Sequence, residues 1–286
     1  MNYRHLYHAG SFADVVKHIV LTLLLQQFHK KETPFCFIDT HAGLGLYDLQ
    51  SVEAQATQEF KNGIGQIIQI KGDLPEWLIR YWEIACRGAL HAPEGTRSVP
   101  LQYPGSPLIA RDFLRAQDKM ILNEKHDETY EELKHFFYRD PQVTVHHREA
   151  YEFLPAILPV KDYSRALILI DPPYEKTTEK AELTVALAKT LKRFSHGMYA
   201  IWFPLTEKMP RLELSKELKA LLPVEKNLLI EFSIADPASI EKGLIGCAMI
   251  IINPPWQFKN VLQQVLPSLW KVLSIREQGS WRIFEN

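Results

Sequence analysis

The stretch Leu167-Ile168-Leu169-Ile170-Asp171-Pro172-Pro173-Tyr174 constrains this chain more than any other. Four successive aliphatic residues fit a parallel strand covered on both faces, where the usual polar alternation is lost. Neither proline can donate to a ladder, so the strand must stop at Asp171. In open α/β sheets ligands bind beyond the carboxyl ends of strands, which puts this turn where chemistry is done. The Asp171 carboxylate and the Pro172 carbonyl are both acceptors and can take the two hydrogens of an exocyclic amino group. The Tyr174 ring can stack on a base. The same four residues also suit an ordinary strand-to-loop turn with a helix-capping acid, so the rest of the chain has to decide.

The turn resembles the Asp/Asn-Pro-Pro-aromatic signature of S-adenosylmethionine-dependent methyltransferases acting on adenine N6, cytosine N4 or glutamine amides. A second turn fits it. Phe35-Cys36-Phe37-Ile38-Asp39 reads as a strand, broken by Thr40-His41-Ala42-Gly43-Leu44-Gly45. An acid at a strand end followed by Gly-x-Gly is the first nucleotide-binding turn of a Rossmann-like sheet. A third glycine and an immediate helix are absent, so this is not a dinucleotide fingerprint. In methyltransferases the corresponding turn holds the methionine part of the cofactor, which makes His41 and the backbone near Gly43 candidates. Residues 48 to 104 read as a polar, helical insertion without a convincing buried strand, between a first part of the domain (1–47) and its remainder (105–286). The insertion displaces the second strand, Met120-Ile121-Leu122-Asn123, whose closing Glu124 could accept both ribose hydroxyls.

Ser106 reads as a helix N-cap, with Pro107 at the first helical position and the helix running to Leu114. After a third strand at 142–146, Glu149 fits either the cofactor's adenine or the start of a helix. Strands five to seven are expected at 198–203, 227–232 and 247–252. The seven strands make a mixed α/β sheet, and in the methyltransferase order the fourth neighbours the first, placing Asp171 beside His41. Asn253-Pro254-Pro255-Trp256 repeats the proline signature, but on a strand distant from the glycine turn, where it reads as a structural stop.

At the N-terminus, residues 1–10 read as a loop or arm. Ser11 and Asp14 have capping-box spacing, and an apolar stripe from Val15 to Leu24 predicts a helix from about 12 to 29. Lys17 and His18 fall on its less apolar side, facing either an anionic group or solvent. The first 31 residues carry an excess of three positive charges and four histidines, which suits phosphate contact, or an arm packed on its own domain. A net charge of −1 excludes bulk-charge coating of nucleic acid. Cys36, Cys86 and Cys247 are dispersed, suggesting neither disulfides nor a metal site, and fit a reducing cytoplasm. The apolar run Ile19–Leu25 is too short to span a bilayer, and no cleavable signal segment is evident.

Taken together, Tyr-Arg-His at 3–5, His-Ala-Gly at 8–10, Ala-Asp-Val-Val-Lys-His at 13–18, Asp-Thr-His-Ala-Gly at 39–43, Tyr-Pro-Gly-Ser-Pro-Leu-Ile-Ala-Arg at 103–111, Asp-Pro-Pro-Tyr-Glu at 171–175 and Asn-Pro-Pro-Trp at 253–256 resemble the RlmJ family over nearly the whole chain. The resemblance implies a Rossmann-like class I S-adenosylmethionine-dependent methyltransferase with a small helical insertion, methylating N6 of one adenosine in 23S ribosomal RNA without a metal. It implies cofactor contacts at Lys17, His18, His41, Ser106, Glu124 and Asp171, and a substrate-contacting Tyr3 beside Arg4. Where the family often shows Asp-Gly, this chain has Glu149-Ala150. Asp171, Pro172 and Tyr174 are the expected catalytic set. The expected partner is protein-free or partly assembled ribosomal RNA, bound by a cytoplasmic monomer, with neither DNA nor membrane involved.

Overall fold

A computed structural model describes residues 4–70, 74–87, 99–206, 226–236 and 244–285. Its strands are β1 (Cys36–Asp39), β2 (Leu46–Asp48), β3 (Gln102–Pro104), β4 (Lys119–Asn123), β5 (Val143–His146), β6 (Ala166–Ile170), β7 (Met198–Leu205), β8 (Asn227–Ser233), β9 (Gly246–Ile252) and β10 (Ser280–Glu285). Eight of them form one sheet in the order β10-β8-β9-β7-β6-β1-β4-β5, while β2 and β3 pair separately. Neighbours from β5 through β4, β1 and β6 to β7 are parallel. Strand β9 runs antiparallel between β7 and β8, and β10 is antiparallel to β8.

All seven expected strands lie in this sheet, and β10 is an eighth. Its sequence, Ser-Trp-Arg-Ile-Phe-Glu, is a short alternating edge segment with a weak signal of its own, and it is held by full pairing to β8. The aliphatic run of β6 is buried at every position, as its composition requires. Its residues alternate between two cores: Leu167 and Leu169 face one, Ile168 and Ile170 the other. Strand β1 does the same, with Phe37 on the first side and Cys36 and Ile38 on the second. The centre of the sheet is therefore dry on both faces.

Helix α1 (Phe12–Phe28) lies in the first of these cores. Every residue except Gln26 and Gln27 is buried, so the solvated-face reading of Lys17 and His18 is wrong. Its outer side is covered by chain that arrives much later: α4 (Glu76–Ala85) and α5 (Ser106–Arg111) both pack on it. The start of α1 also departs from a capping box. The Ser11 hydroxyl accepts from the Asp14 amide, but the Asp14 carboxylate accepts from the Gly10 amide at 3.0 Å.

Residues 52–57, 64–67 and 76–85 form three short helices, α2, α3 and α4, between the paired strands β2 and β3. The expectation of no buried strand there is corrected by this ladder, whose central pair is Tyr47 and Tyr103, both buried. From Arg4 onward the arm is structured, with a 3-10 turn at His5–Tyr7. It packs on residues that follow β2: the Ile64 amide donates to the Gly10 carbonyl at 2.9 Å. A Cβ on Gly63 would sit 2.1 Å from that same carbonyl, so only glycine permits the approach. Helix α5 starts one residue earlier than expected: Gly105 is its N-cap, Ser106 is already helical, and the helix ends at Arg111.

Candidate active site

Three parallel strand ends are stitched together at one rim of the sheet. From β6, the Leu169 carbonyl accepts from both the amide (3.1 Å) and the hydroxyl (3.2 Å) of Thr40, just beyond β1. The Ala42 amide donates to the Asn123 carbonyl at the end of β4 (2.9 Å), and the Asn123 side chain returns a bond to the Thr40 carbonyl (3.1 Å). The Gly43 amide donates to Glu124 (2.9 Å), which also accepts from the His126 amide (2.8 Å). Gly43 has φ +61°, and a Cβ there would lie 2.1 Å from the Tyr47 hydroxyl. The glycine turn is thus fixed by neighbours on both sides, and His41 and Asp171 stand on adjacent strand tips.

Buried charges run beneath these tips. Lys17 is 4 % exposed, and its ammonium bridges two carboxylates, Asp14 at 2.8 Å and Asp171 at 2.5 Å. Burial alone would neutralise the lysine, but the two acids hold its pKa well above the ordinary value. Burial likewise opposes the charge on Asp14, yet His5 and Lys17 keep that carboxyl well below the usual range. The other Asp14 oxygen sits 2.9 Å from His5 Nε2. His18 has no such partner acid in contact: burial drives it down to about 3, and its Nδ1 lies 2.7 Å from the Tyr103 hydroxyl. Burial lowers His41 to about 4, so both imidazoles are neutral near pH 7.

Asp39, noted in the sequence only as a strand-terminal acid, is fully buried. It accepts from the Ser106 hydroxyl at 2.6 Å and from the His41 amide at 3.1 Å. Burial outweighs these bonds and raises its pKa to about 7. Ser106 therefore does not cap its helix, as expected from the sequence, but ties α5 to the end of β1.

A cavity of about 500 Å³ opens over these groups. Lys17, His18, His41, Gly43, Ser106 and Glu124 line it, as do Arg4, Glu149, Ala150, Asp171 and Pro172. Glu149 is committed within the wall: it pairs with Lys125 and accepts from its own neighbour's amide, Ala150. Arg4 is paired with Glu53 at 3.1 Å. Tyr3 lies outside the described residues. Tyr174 is the exception, since it does not line the cavity. With φ +52° it turns back onto β7, its hydroxyl donating to the Trp202 carbonyl (2.7 Å) and its ring packing on Phe203 and Trp202. Trp202 does line the cavity. Sequence reasoning missed Asp14, His5 and Trp202. The first two sit inside the quoted N-terminal blocks, whereas Trp202, within a strand, gives no separate signal.

The second proline turn is remote from all this. Because β9 runs antiparallel to β7, Ile252 pairs with Tyr199 at the start of β7, so Asn253 lies at the opposite rim. Its side chain donates to the Ser195 and Gly197 carbonyls at 2.8 and 2.7 Å, and Trp256 is 87 % exposed.

Comparison with known proteins agrees with this layout. The family model described as Ribosomal RNA large subunit methyltransferase D, RlmJ, matches residues 32–284. A protein of Haemophilus influenzae named Ribosomal RNA large subunit methyltransferase J is 38% identical over 283 residues, 99% of this chain and 98% of its own. One of the same name from Escherichia coli is 39% identical over 270 residues, covering 94% and 92%. A crystal structure of a Legionella pneumophila protein superposes with a TM-score of 0.82 at 32% identity, covering 98% of each chain. With the glycine turn and the Asp-Pro-Pro-Tyr turn on neighbouring strand tips, and a match that runs from end to end, this chain belongs to the RlmJ family of class I methyltransferases.

Proposed function

We propose that the chain is an S-adenosylmethionine-dependent methyltransferase that methylates N6 of one adenosine in 23S ribosomal RNA, with the base turned out of its stack. The observation that carries this reading is the backbone bond from Thr40 to Leu169, which holds His41 and Asp171 over one cavity. The residues present fit the cofactor. The cavity is of ligand size, and the Gly43 turn leaves backbone exposed where a side chain would collide with Tyr47. Glu124 is held at the end of β4, where it can accept from ribose hydroxyls. When bound, S-adenosylmethionine supplies the methyl group on a sulfonium.

Lys17 occupies one oxygen of Asp171, which leaves Oδ1 to accept from the adenine amine. The Pro172 carbonyl is the second acceptor. With both N–H bonds so directed, the nitrogen lone pair leaves conjugation with the ring and points along the line of attack. Catalysis of this kind is positioning, worth up to ~7–11 kcal/mol. For Tyr174 to stack on the base, its hydroxyl must leave the Trp202 carbonyl; Trp202 offers a second ring on the same wall. Tyr3 and Arg4 are assigned to RNA contact in the same reading.

The proposal extends to organisation: 48–104 as a helical insertion, supported by the β2–β3 ladder at its neck, within one methyltransferase domain formed by 1–47 and 105–286. It extends also to a cytoplasmic monomer acting on RNA rather than DNA. Incubation with methyl-labelled cofactor and ribosomal RNA from a strain lacking the gene, followed by digestion to nucleosides, should give labelled N6-methyladenosine. Label in another nucleoside, or in DNA and not RNA, contradicts it.

A further inference from the structure

The cavity holds a buried carboxylate to which no role has yet been given. We propose that Asp14 is a positioning residue for methyl transfer, which holds the Lys17 ammonium on Asp171 and joins the proline turn to the N-terminal segment. This rests on the methyltransferase reading above.

Asp14 is 3 % exposed and uses both oxygens. Oδ1 takes the Lys17 ammonium at 2.8 Å. Oδ2 takes His5 Nε2 at 2.9 Å and the Gly10 amide at 3.0 Å. Lys17 then reaches Asp171 Oδ2 at 2.5 Å. The result is an alternating chain from His5 on the arm, through Asp14 and Lys17, to the carboxylate that receives the amine. Asp14 and Lys17 share one face of α1 at i and i+3, so the helix presets their contact. Lys17 has three hydrogens and a flexible stem. A single acid partner would leave it free to swing on Asp171, whereas two acids on different elements fix the ammonium between them. The consequence is directional: Asp171 keeps one oxygen engaged and presents the other. Among the described residues, His5 and Lys17 contact Asp14, and His18, His8, Tyr47, Tyr81 and Tyr103 act on it at longer range. The strong upward displacement of the Lys17 pKa argues that the chain holds charge in place and does not pass protons along.

The test is single-turnover methyl transfer to ribosomal RNA, with cofactor affinity and the thermal midpoint measured in parallel. D14N keeps the shape and the acceptor for Gly10 but removes the charge. It should slow transfer ~10- to 100-fold while changing the cofactor Kd less than about threefold. In a K17M background the same change should cost less than about twofold, because the route through Lys17 to Asp171 is gone. Should D14N fail to fold, the cycle of H5Q with K17M asks the same question, since His5 and Lys17 both contact Asp14: the double variant should be no slower than K17M alone. Wild-type transfer by D14N overturns the proposal, as do losses that multiply in either cycle. A wild-type protein that transfers no methyl group to RNA overturns the underlying reading as well, and is told apart by that control.

Discussion

Replacing Asp171 should cost chemistry and spare the fold. In D171A the Lys17 ammonium keeps Asp14 at 2.8 Å, so no buried charge is orphaned. Methyl transfer should fall at least ~100-fold, the scale for losing one preorganised polar contact to the reacting group, with a thermal midpoint within a few degrees of wild type. Wild-type transfer would remove Asp171 from its role. Tyr174 gives a milder expectation: Y174F loses the bond to the Trp202 carbonyl, about 1 kcal/mol of stability by chemical denaturation, and keeps most activity because the ring remains. At this scale the sequence was a partial guide. Asp171, His41 and Glu124 were legible because each lies within two residues of a strand's end, and strands announce themselves by composition. Local pattern left Lys17 and His18 facing either an anionic group or solvent and read Ser106 as a cap, and the solvent and cap readings lost. Residues 76–85 and 106–111 fold back onto α1, which no window around residue 17 can contain.

The two proline turns show how an element's direction decides what its residues do. Asp171 ends a strand parallel to β1, while Asn253 ends one antiparallel to β7, so similar motifs finish on opposite rims. N253A should lose two side-chain bonds to the 195–197 turn and a residue suited to φ +54°. The expected cost is ~1–3 kcal/mol in denaturant unfolding, with transfer by the folded protein unchanged within about twofold. A transfer defect at unchanged stability would assign this turn to the active site. G43A should act the other way, weakening cofactor binding at least ~10-fold in a direct titration, because the added methyl collides with Tyr47 at a left-handed position. Strand placement was readable from aliphatic runs to within a residue or two. Strand β10 was not, since an alternating six-residue edge depends on β8 for its existence.

For the molecule as a whole, the buried groups fix how stability responds to acid. His18 and His41, at about 3 and about 4 when folded against 6.5 unfolded, take up protons only on unfolding between those values. Each therefore lowers stability as pH falls below 6.5. Asp39, raised to about 7, works oppositely between pH 7 and its unfolded 3.8, because the folded form holds the proton. Of these three, two groups against one leave about one net proton, a contribution that lowers the unfolding free energy by ~1.4 kcal/mol per pH unit from 6 to 5. H18Q should flatten that slope in denaturant titrations, and an unaltered slope would show that His18 is not held neutral. The most direct test of the central claim, that the tips of β1 and β6 build one site, is a crystal structure with S-adenosylhomocysteine. The ligand's ribose should lie on Glu124 and its sulfur between His41 and Asp171. A sulfur directed away from Asp171, or a ligand seated in another cavity, would contradict it.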